Sequence, residues 1–307
     1  MADNWYEQKQ NNSLGYFLML KCLKILPSWL FRFFALFVGF FYWTFSKNAR
    51  RFSKMYFSNL GRRGSSLKHI ACFAVNLVED VQSWAGKLNF SNVEWQGTDV
   101  HNLVSDIDTG KGAVIVISHL GNAQMLKGLA SMGESGTKRR MSITTISDAN
   151  ISAGFNALLN QVNSDSSFHI VSSNDIGPET ILLLQERLEN GEVVVIAGDR
   201  VSAHTDRNIK INFLGKEANF PYGVFLMISL LNSPTYFVNG MRHKDFALDA
   251  KYDMYVKKCP VDFGCKRSER DGRIREAAEC YARNLEELCR IHPYQWYNFF
   301  DFWGGQD

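Results

Sequence analysis

The chain has 307 residues, of which 46% are hydrophobic, with 34 Lys and Arg against 31 Asp and Glu, enough for one large domain with a well-buried core. The charge is uneven: the first 70 residues hold eleven basic side chains against Asp3 and Glu7, leaving 23 basic against 29 acidic in the remainder. The basic cluster adjoins an apolar stretch, and no aromatic-basic binding motif occurs elsewhere, which argues against a nucleic-acid partner.

From Leu14 to Phe45 the chain is rich in Phe, Leu and Trp, interrupted by Lys21, Lys24, Pro27 and Arg32. The longest charge-free part, Phe33 to Ser46, has 14 residues. A helix needs roughly 20 to cross a bilayer. Spanning therefore requires Arg32 to snorkel. The reading the aromatics favour is a helical pair lying in one leaflet, with Trp29, Tyr42 and Trp43 at headgroup depth and Lys47, Arg50, Arg51 and Lys54 on anionic lipid. A buried core helix is the alternative. A secretory signal does not fit, because the apolar run starts late and no small-residue cleavage site follows. Residues 1–60 are thus expected to form a membrane-associating helical region, and residues 61–307 a single α/β domain.

Cys22, Cys72, Cys259, Cys265, Cys280 and Cys289 form no C-x-x-C pair, and none has a histidine at metal-ligand spacing. Free thiols in a reducing compartment fit this pattern, with no structural metal, and place the globular part in the cytoplasm.

Residues 66–90 carry Ile70, Phe73, Leu77, Val81 and Trp84 at helical intervals, an amphipathic helix. A short strand at 93–97 and a helix near 98–107 follow. AVIVI, residues 113–117, reads as a buried strand, Ser118 to Asn122 as a turn, and Ala123 to Ala130 as the start of a helix. Further elements are a strand at 141–146, a helix from Asn150 to Leu159, a strand from His169 to Ser172 and a helix from Pro178 to Glu189. VVVIAGDR at 193–200 is a second buried strand ending on a charged pair. A strand at 209–214, a loop leading into an apolar helix at 220–232, strands from Thr235 to Met241 and Asp249 to Val256, and a helix from Ser268 to Ile291 complete the chain. This alternation predicts an α/β fold, a central mixed β-sheet flanked by helices.

His119 stands where the first buried strand enters its turn. Ligands bind at the carboxyl ends of strands in open α/β sheets, so His119 is a candidate general base. The Gly121 amide and Asn122 are candidates to hold a developing oxyanion, Asn122 also being an ordinary helix cap.

The basic amphipathic N-terminus, the strand leading into HLGN (119–122), the strand ending in GDR (198–200), the FLG and FPYG blocks (213–215 and 220–223) and the C-terminal QWYNFFDFW (295–303) together resemble the lysophospholipid acyltransferase superfamily. The nearest branch is the late acyltransferases of lipid A biosynthesis, and the C-terminal motif is similar to relatives found with aryl-polyene pathways. The resemblance implies transfer of an acyl chain from a thioester, on acyl carrier protein or coenzyme A, to a hydroxyl or amine of a membrane lipid at the cytoplasmic face of the bacterial inner membrane. It implies no metal or redox cofactor. In the family's H-x-x-x-x-(D/E) motif the histidine takes the acceptor's proton and the acid fixes the imidazole. His119 matches the first position, and Gln124 stands in place of the acid.

A neutral amide still accepts the Nδ1–H but supports an imidazolium less well than a carboxylate. Three readings remain open: a slower enzyme, an enzyme using another acid such as Asp148 or Asp199, or a catalytically silent lipid-binding or assembly protein. No Lys or Arg occurs from Met141 to Glu186, which disfavours a phosphate-rich acceptor. Arg200, Arg207, Lys210 and Lys216 are the remaining cationic candidates. By resemblance, Asp199 and Arg200 bind the acceptor, and Phe213, Gly215 and Pro221, with Phe220 and Gly223, shape a substrate channel. The aromatic tail from Tyr294 to Trp303 is expected to pack on the core or near the membrane.

Overall fold

The structure, a computed structural model, describes residues 28–84, 91, 93–123, 125, 137–138, 141–147, 168–173, 176–200, 207–247 and 251–304. The expected helix from Asn150 to Leu159, Gln124 and Asp148 lie outside the described residues. Helices α1 (Ser28–Phe45), α2 (Lys47–Asn59) and α3 (Ser66–Trp84) precede strand β1 (Val93–Gln96) and helix α4 (Asp99–Asp108). Then come β2 (Ala113–Ile117), β3 (Ile143–Ser147), β4 (Phe168–Ser172), α5 (Pro178–Glu189) and β5 (Val193–Ala197). The chain continues through β6 (Asn208–Phe213), β7 (Lys216–Pro221), α6 (Tyr222–Leu231), β8 (Thr235–Arg242), β9 (Tyr252–Lys258) and α7 (Arg270–Ile291).

Among the described residues, seven strands form one sheet in the order β1-β9-β8-β2-β5-β3-β4. β8, β2, β5, β3 and β4 run parallel, and β9 reverses against β8 with β1 parallel to it. β2 and β5, at the centre of the sheet, are apolar along their whole length because both faces are covered. Val114, Val116, Val194 and Ile196 face the core built with α6 and α7, while Ala113, Ile115, Val193 and Val195 face the core that includes Val100, Leu103 and Ile107 of α4.

The FLG block turns out to be a hairpin tip. β6 and β7 pair with Phe213 opposite Lys216, and Leu214 and Gly215 make a two-residue turn with φ of 52° and 79°. Positive φ at both central positions matches the right-handed twist of the strands. β7 carries no strand signal in the sequence because Lys216, Glu217 and Asn219 break the apolar alternation, and its last two residues fall where a loop is expected.

α1 and α2 form within the expected helical region, whose residues 14–27 lie outside the described ones, and three of their side chains have other tasks than lipid contact. Arg32 is buried rather than snorkelling: it bonds Glu79 of α3 at 3.1 Å and the Ala247 carbonyl at 3.0 Å. Trp43 donates its indole N–H to Ser66 Oγ at 3.0 Å, so it ties α1 to the start of α3. Arg50 reaches back to the Trp43 and Thr44 carbonyls at the end of α1. Gly39 permits the close approach of α1 to α3, since a β-carbon there would lie 3.0 Å from Ala74 Cβ. The other side of α1 leaves Phe33, Phe37, Val38, Phe41 and Phe45 exposed. Among the described residues no helix is long and apolar enough to cross a membrane.

Candidate active site

β2 and β5 pair in parallel, Ala113 beside Val193 and Ile117 beside Ala197. The pairing runs on beyond the strands, with the Gly198 N–H donating to the Ile117 carbonyl at 2.9 Å. Two residues past each strand, this register brings His119 level with Asp199 at the carboxyl ends of both strands.

The two side chains are bonded. His119 Nδ1 lies 2.8 Å from Asp199 Oδ1, and the His119 backbone N–H donates to Asp199 Oδ2 at 2.8 Å. The Trp296 indole N–H faces the same Oδ2 at 3.5 Å. An ionised carboxylate only accepts, so it holds the proton on Nδ1 and leaves Nε2 with its lone pair. Asp199 is buried, whereas 32% of the His119 side chain is exposed. Among the described residues Nε2 makes no hydrogen bond, so it is the nitrogen available to a reactant.

Burial raises the Asp199 pKa, but the imidazole, its hydrogen bond, Arg200 and the His119 amide together hold the carboxyl below its usual range. Burial lowers the His119 pKa, and the Arg200 guanidinium lowers it further, while Asp199 pulls it partly back up. The open third of the ring keeps water in contact and moderates that shift. A neutral imidazole on an ionised aspartate is the state favoured near pH 7.

The surrounding elements lock this pair. The Tyr297 N–H donates to the His119 carbonyl at 3.0 Å, and the Gly121 N–H donates to the Gln295 carbonyl at 2.8 Å. The aromatic tail thus runs antiparallel to the HLG turn, with Leu120 bridged to Trp296. Trp296 is fully buried among Phe213, Tyr56 and Phe302, with ring centroids 5.3, 5.1 and 5.0 Å away. Its carbonyl meets His69 Nε2 at 2.8 Å, and His69 Nδ1 meets Ser53 Oγ at 3.0 Å. Burial lowers the His69 pKa to about 4, the Trp296 carbonyl opposing the shift, so this ring is neutral and donates to Trp296. Tyr281 of α7 donates to the Ile117 carbonyl at 2.9 Å. Gly198 admits that ring: a β-carbon there would stand 2.7 Å from Val116 Cγ1 and 2.8 Å from Tyr281 Cζ.

Several expected site residues have different positions. Gly121 adopts φ of +72°, and a β-carbon would fall 2.2 Å from the Gly240 carbonyl oxygen, so glycine is required for the turn. Its amide is committed to Gln295, and the Asn122 N–H to the Gly240 carbonyl at 2.7 Å. The Asn122 side chain is buried and donates to Ser83 Oγ at 3.3 Å. Both amides are spent in holding the turn. The residues expected to shape a channel belong to the β6–β7 hairpin and its packing. Phe213 is fully buried behind Trp296, Gly215 is the exposed hairpin tip, and Pro221 joins β7 to α6. Phe220 is also fully buried, in ring contact with Phe213 and Tyr281.

Arg200 lies with its guanidinium 5.8 Å from the centre of the Phe300 ring. Arg207 pairs with Asp271 at 3.3 Å and Lys210 with Glu217 at 2.9 Å, so both are occupied at the surface. Trp296, Tyr281 and Gly198 escaped the sequence reading as site residues; the aromatic tail was visible as unusual, but its pairing with the HLG turn was not. The Asp199 oxygens are filled by N–H donors, which makes the pair a poor metal ligand and a good orienting device for a base.

No curated protein matches the chain. A profile of the bacterial lipid A biosynthesis acyltransferase family matches residues 67–303, from α3 through the aromatic tail. This is an acyltransferase family whose reaction implies an acyl donor and a lipid-like acceptor. The match takes in both strands, the His119–Asp199 pair and the tail that locks it, and the chain belongs to the bacterial lipid A biosynthesis acyltransferase family.

Proposed function

We propose that the protein moves an acyl chain from a thioester, on acyl carrier protein or coenzyme A, to a hydroxyl or amine of a membrane lipid, with His119 as general base and Asp199 as the acid that orients it. The bond between His119 Nδ1 and buried Asp199 carries this reading, because it leaves Nε2 unprotonated and open. Nε2 takes the proton of the acceptor as its oxygen or nitrogen attacks the thioester carbonyl. The carbon–sulfur bond then breaks, and the imidazolium returns the proton to the leaving thiolate. Asp199 stabilises the imidazolium in between. The silent lipid-binding alternative rests on Gln124 replacing the family's acid, and a carboxylate on His119 from β5 supports the catalytic reading over it.

The exposed Phe row of α1 and the Lys47, Arg51 and Lys54 side chains of α2 support a helical pair resting on an anionic leaflet. That arrangement suits work at the cytoplasmic face of the bacterial inner membrane. The aromatic tail makes an aryl-polyene-type acyl chain the specific donor to try beside saturated chains.

The test is to incubate purified protein with saturated and polyene thioesters of acyl carrier protein and coenzyme A, in liposomes of bacterial lipid extract, and to read products by mass spectrometry. An acylated lipid formed by wild type and lost at least 10³-fold in His119→Ala is expected. Equal product from both proteins would refute the assignment of the base.

A further inference from the structure

We infer that Glu94, His243 and Asp253 form a divalent-cation site of the zinc class on the edge of the sheet. The observation is convergence: one imidazole and two carboxylates, from β1, β9 and the residue after β8, have ligating atoms all within 4.8 Å of one another. Glu94 of β1 and Asp253 of β9 are register partners in the parallel pair, and His243 follows the last residue of β8. Like charges set directly opposite each other on adjacent strands repel. A cation between them removes that repulsion.

The donor set is that of a borderline metal ion, with nitrogen and carboxylate oxygen at about 2.0–2.2 Å from zinc. Tetrahedral ligands at that distance stand about 3.4 Å apart, so the widest spacing must contract by about 1.4 Å. The side chains that must move are the exposed ones, Glu94 and His243. Asp253 is the fixed member: it is buried, and Gln96 Nε2 donates to its Oδ1 at 3.1 Å, as a supporting group orients a metal-bound carboxylate. His243 Nδ1 now lies 3.0 Å from Asp253 Oδ2. To bind a metal through Nδ1 the neutral ring carries its one proton on Nε2, which leaves the Nδ1 lone pair for the ion. With three protein ligands, a fourth position faces water. Because the reversal at β9 puts the starts of β9 and β1 at the end of the sheet where β8 and β2 finish, this site shares an end with His119. Among the described residues β1 is an edge strand paired only with β9, and a metal would staple it to β9 and β8.

Cysteine spacing carried the sequence expectation of no structural metal, and these three residues contain no cysteine and are drawn from positions far apart in the chain. The site does not depend on the acyl-transfer reading.

The experiment uses the full chain, stripped with a chelator and desalted, and titrated with CoCl2 and then ZnCl2. One equivalent of Co2+ should give a saturable visible absorption band that Zn2+ abolishes, and Zn2+ at 100-fold above its Kd should raise the thermal midpoint by about 5 °C. Both responses should disappear in His243→Ala and weaken at least tenfold in Glu94→Gln, two exposed positions whose replacement leaves the circular dichroism spectrum unchanged. A wild-type protein that gives no saturable band, or a His243→Ala protein that binds as wild type does, overturns the site.

Discussion

Asp199→Asn should lower kcat for acyl transfer by about 10⁴ while leaving KM nearly unchanged. The comparable change in the serine-protease triad costs about that much, chiefly by stabilising the wrong imidazole tautomer. Here the geometry is stricter. Asp199 accepts from His119 Nδ1, from the His119 amide and, at longer range, from Trp296. An asparagine has one accepting oxygen, so its NH2 group must face a donor, either pushing the ring away or forcing the proton onto Nε2. Both outcomes remove the base. Because the interaction grows as the imidazolium forms, the loss falls on kcat rather than on binding. Gln124→Ala, by contrast, should change kcat less than tenfold. A large loss in Gln124→Ala with little in Asp199→Asn would return the orienting role to the position where the family places its acid.

Glu79→Ala should destabilise the fold by about 3–5 kcal/mol, the usual cost of breaking a buried ion pair by removing one partner. Glu79 is buried between two arginines, Arg32 at 3.1 Å and Arg242 at 3.3 Å, and accepts from the Tyr252 hydroxyl at 2.6 Å. Burial and the Glu79 charge push the Tyr252 pKa well above its usual value, so that hydroxyl stays a donor. Deleting the carboxylate leaves two guanidinium groups facing each other out of water and an unpaired hydroxyl. The network joins α1, α3, β8 and β9, so its loss should detach α1 as well as lower the thermal midpoint, by about 10 °C at about 2–4 °C per kcal/mol. Thermal unfolding followed by circular dichroism reads the midpoint, and limited proteolysis near residue 46 reads the detachment. An unchanged midpoint would mean that the arginines find other anions or water, and that α1 is held by its apolar face alone.

These two sites show what a sequence can and cannot disclose. AVIVI and VVVIA are continuous apolar runs, and such runs signal strands covered on both faces. Each run ends two residues before a chemically active side chain, so His119 and Asp199 were both visible as candidates. Their partnership was not, because register between strands 80 positions apart is set by packing rather than by local pattern. Gln124 held the orienting role by its place in the motif of the resembling family, while Asp199 was assigned to acceptor binding and named as one alternative acid. The ion pair of Arg32 was hidden for a similar reason, since Glu79, its partner, lies in a separate helix. The HLG turn, the aromatic tail and the FLG hairpin were all recognisable as motifs, yet their tasks became clear only where Gly121 meets Gly240 and Trp296 meets Asp199.

The most direct test of His119 as the base is kcat/KM for acyl transfer against pH. Protonation removes the base, and burial together with Arg200 holds its pKa below the ordinary 6.5, so activity should be retained at pH 6.5 and fall tenfold per unit only further into acid. The same sign governs stability: the neutral ring is favoured in the fold, so any stability it contributes is present above 6.5 and lost below it. A profile with a single acid limb below 6.5, absent from the residual rate of His119→Ala, is the predicted result. An activity that already falls as pH drops towards 6.5 from above, or a His119→Ala profile matching wild type, would contradict it.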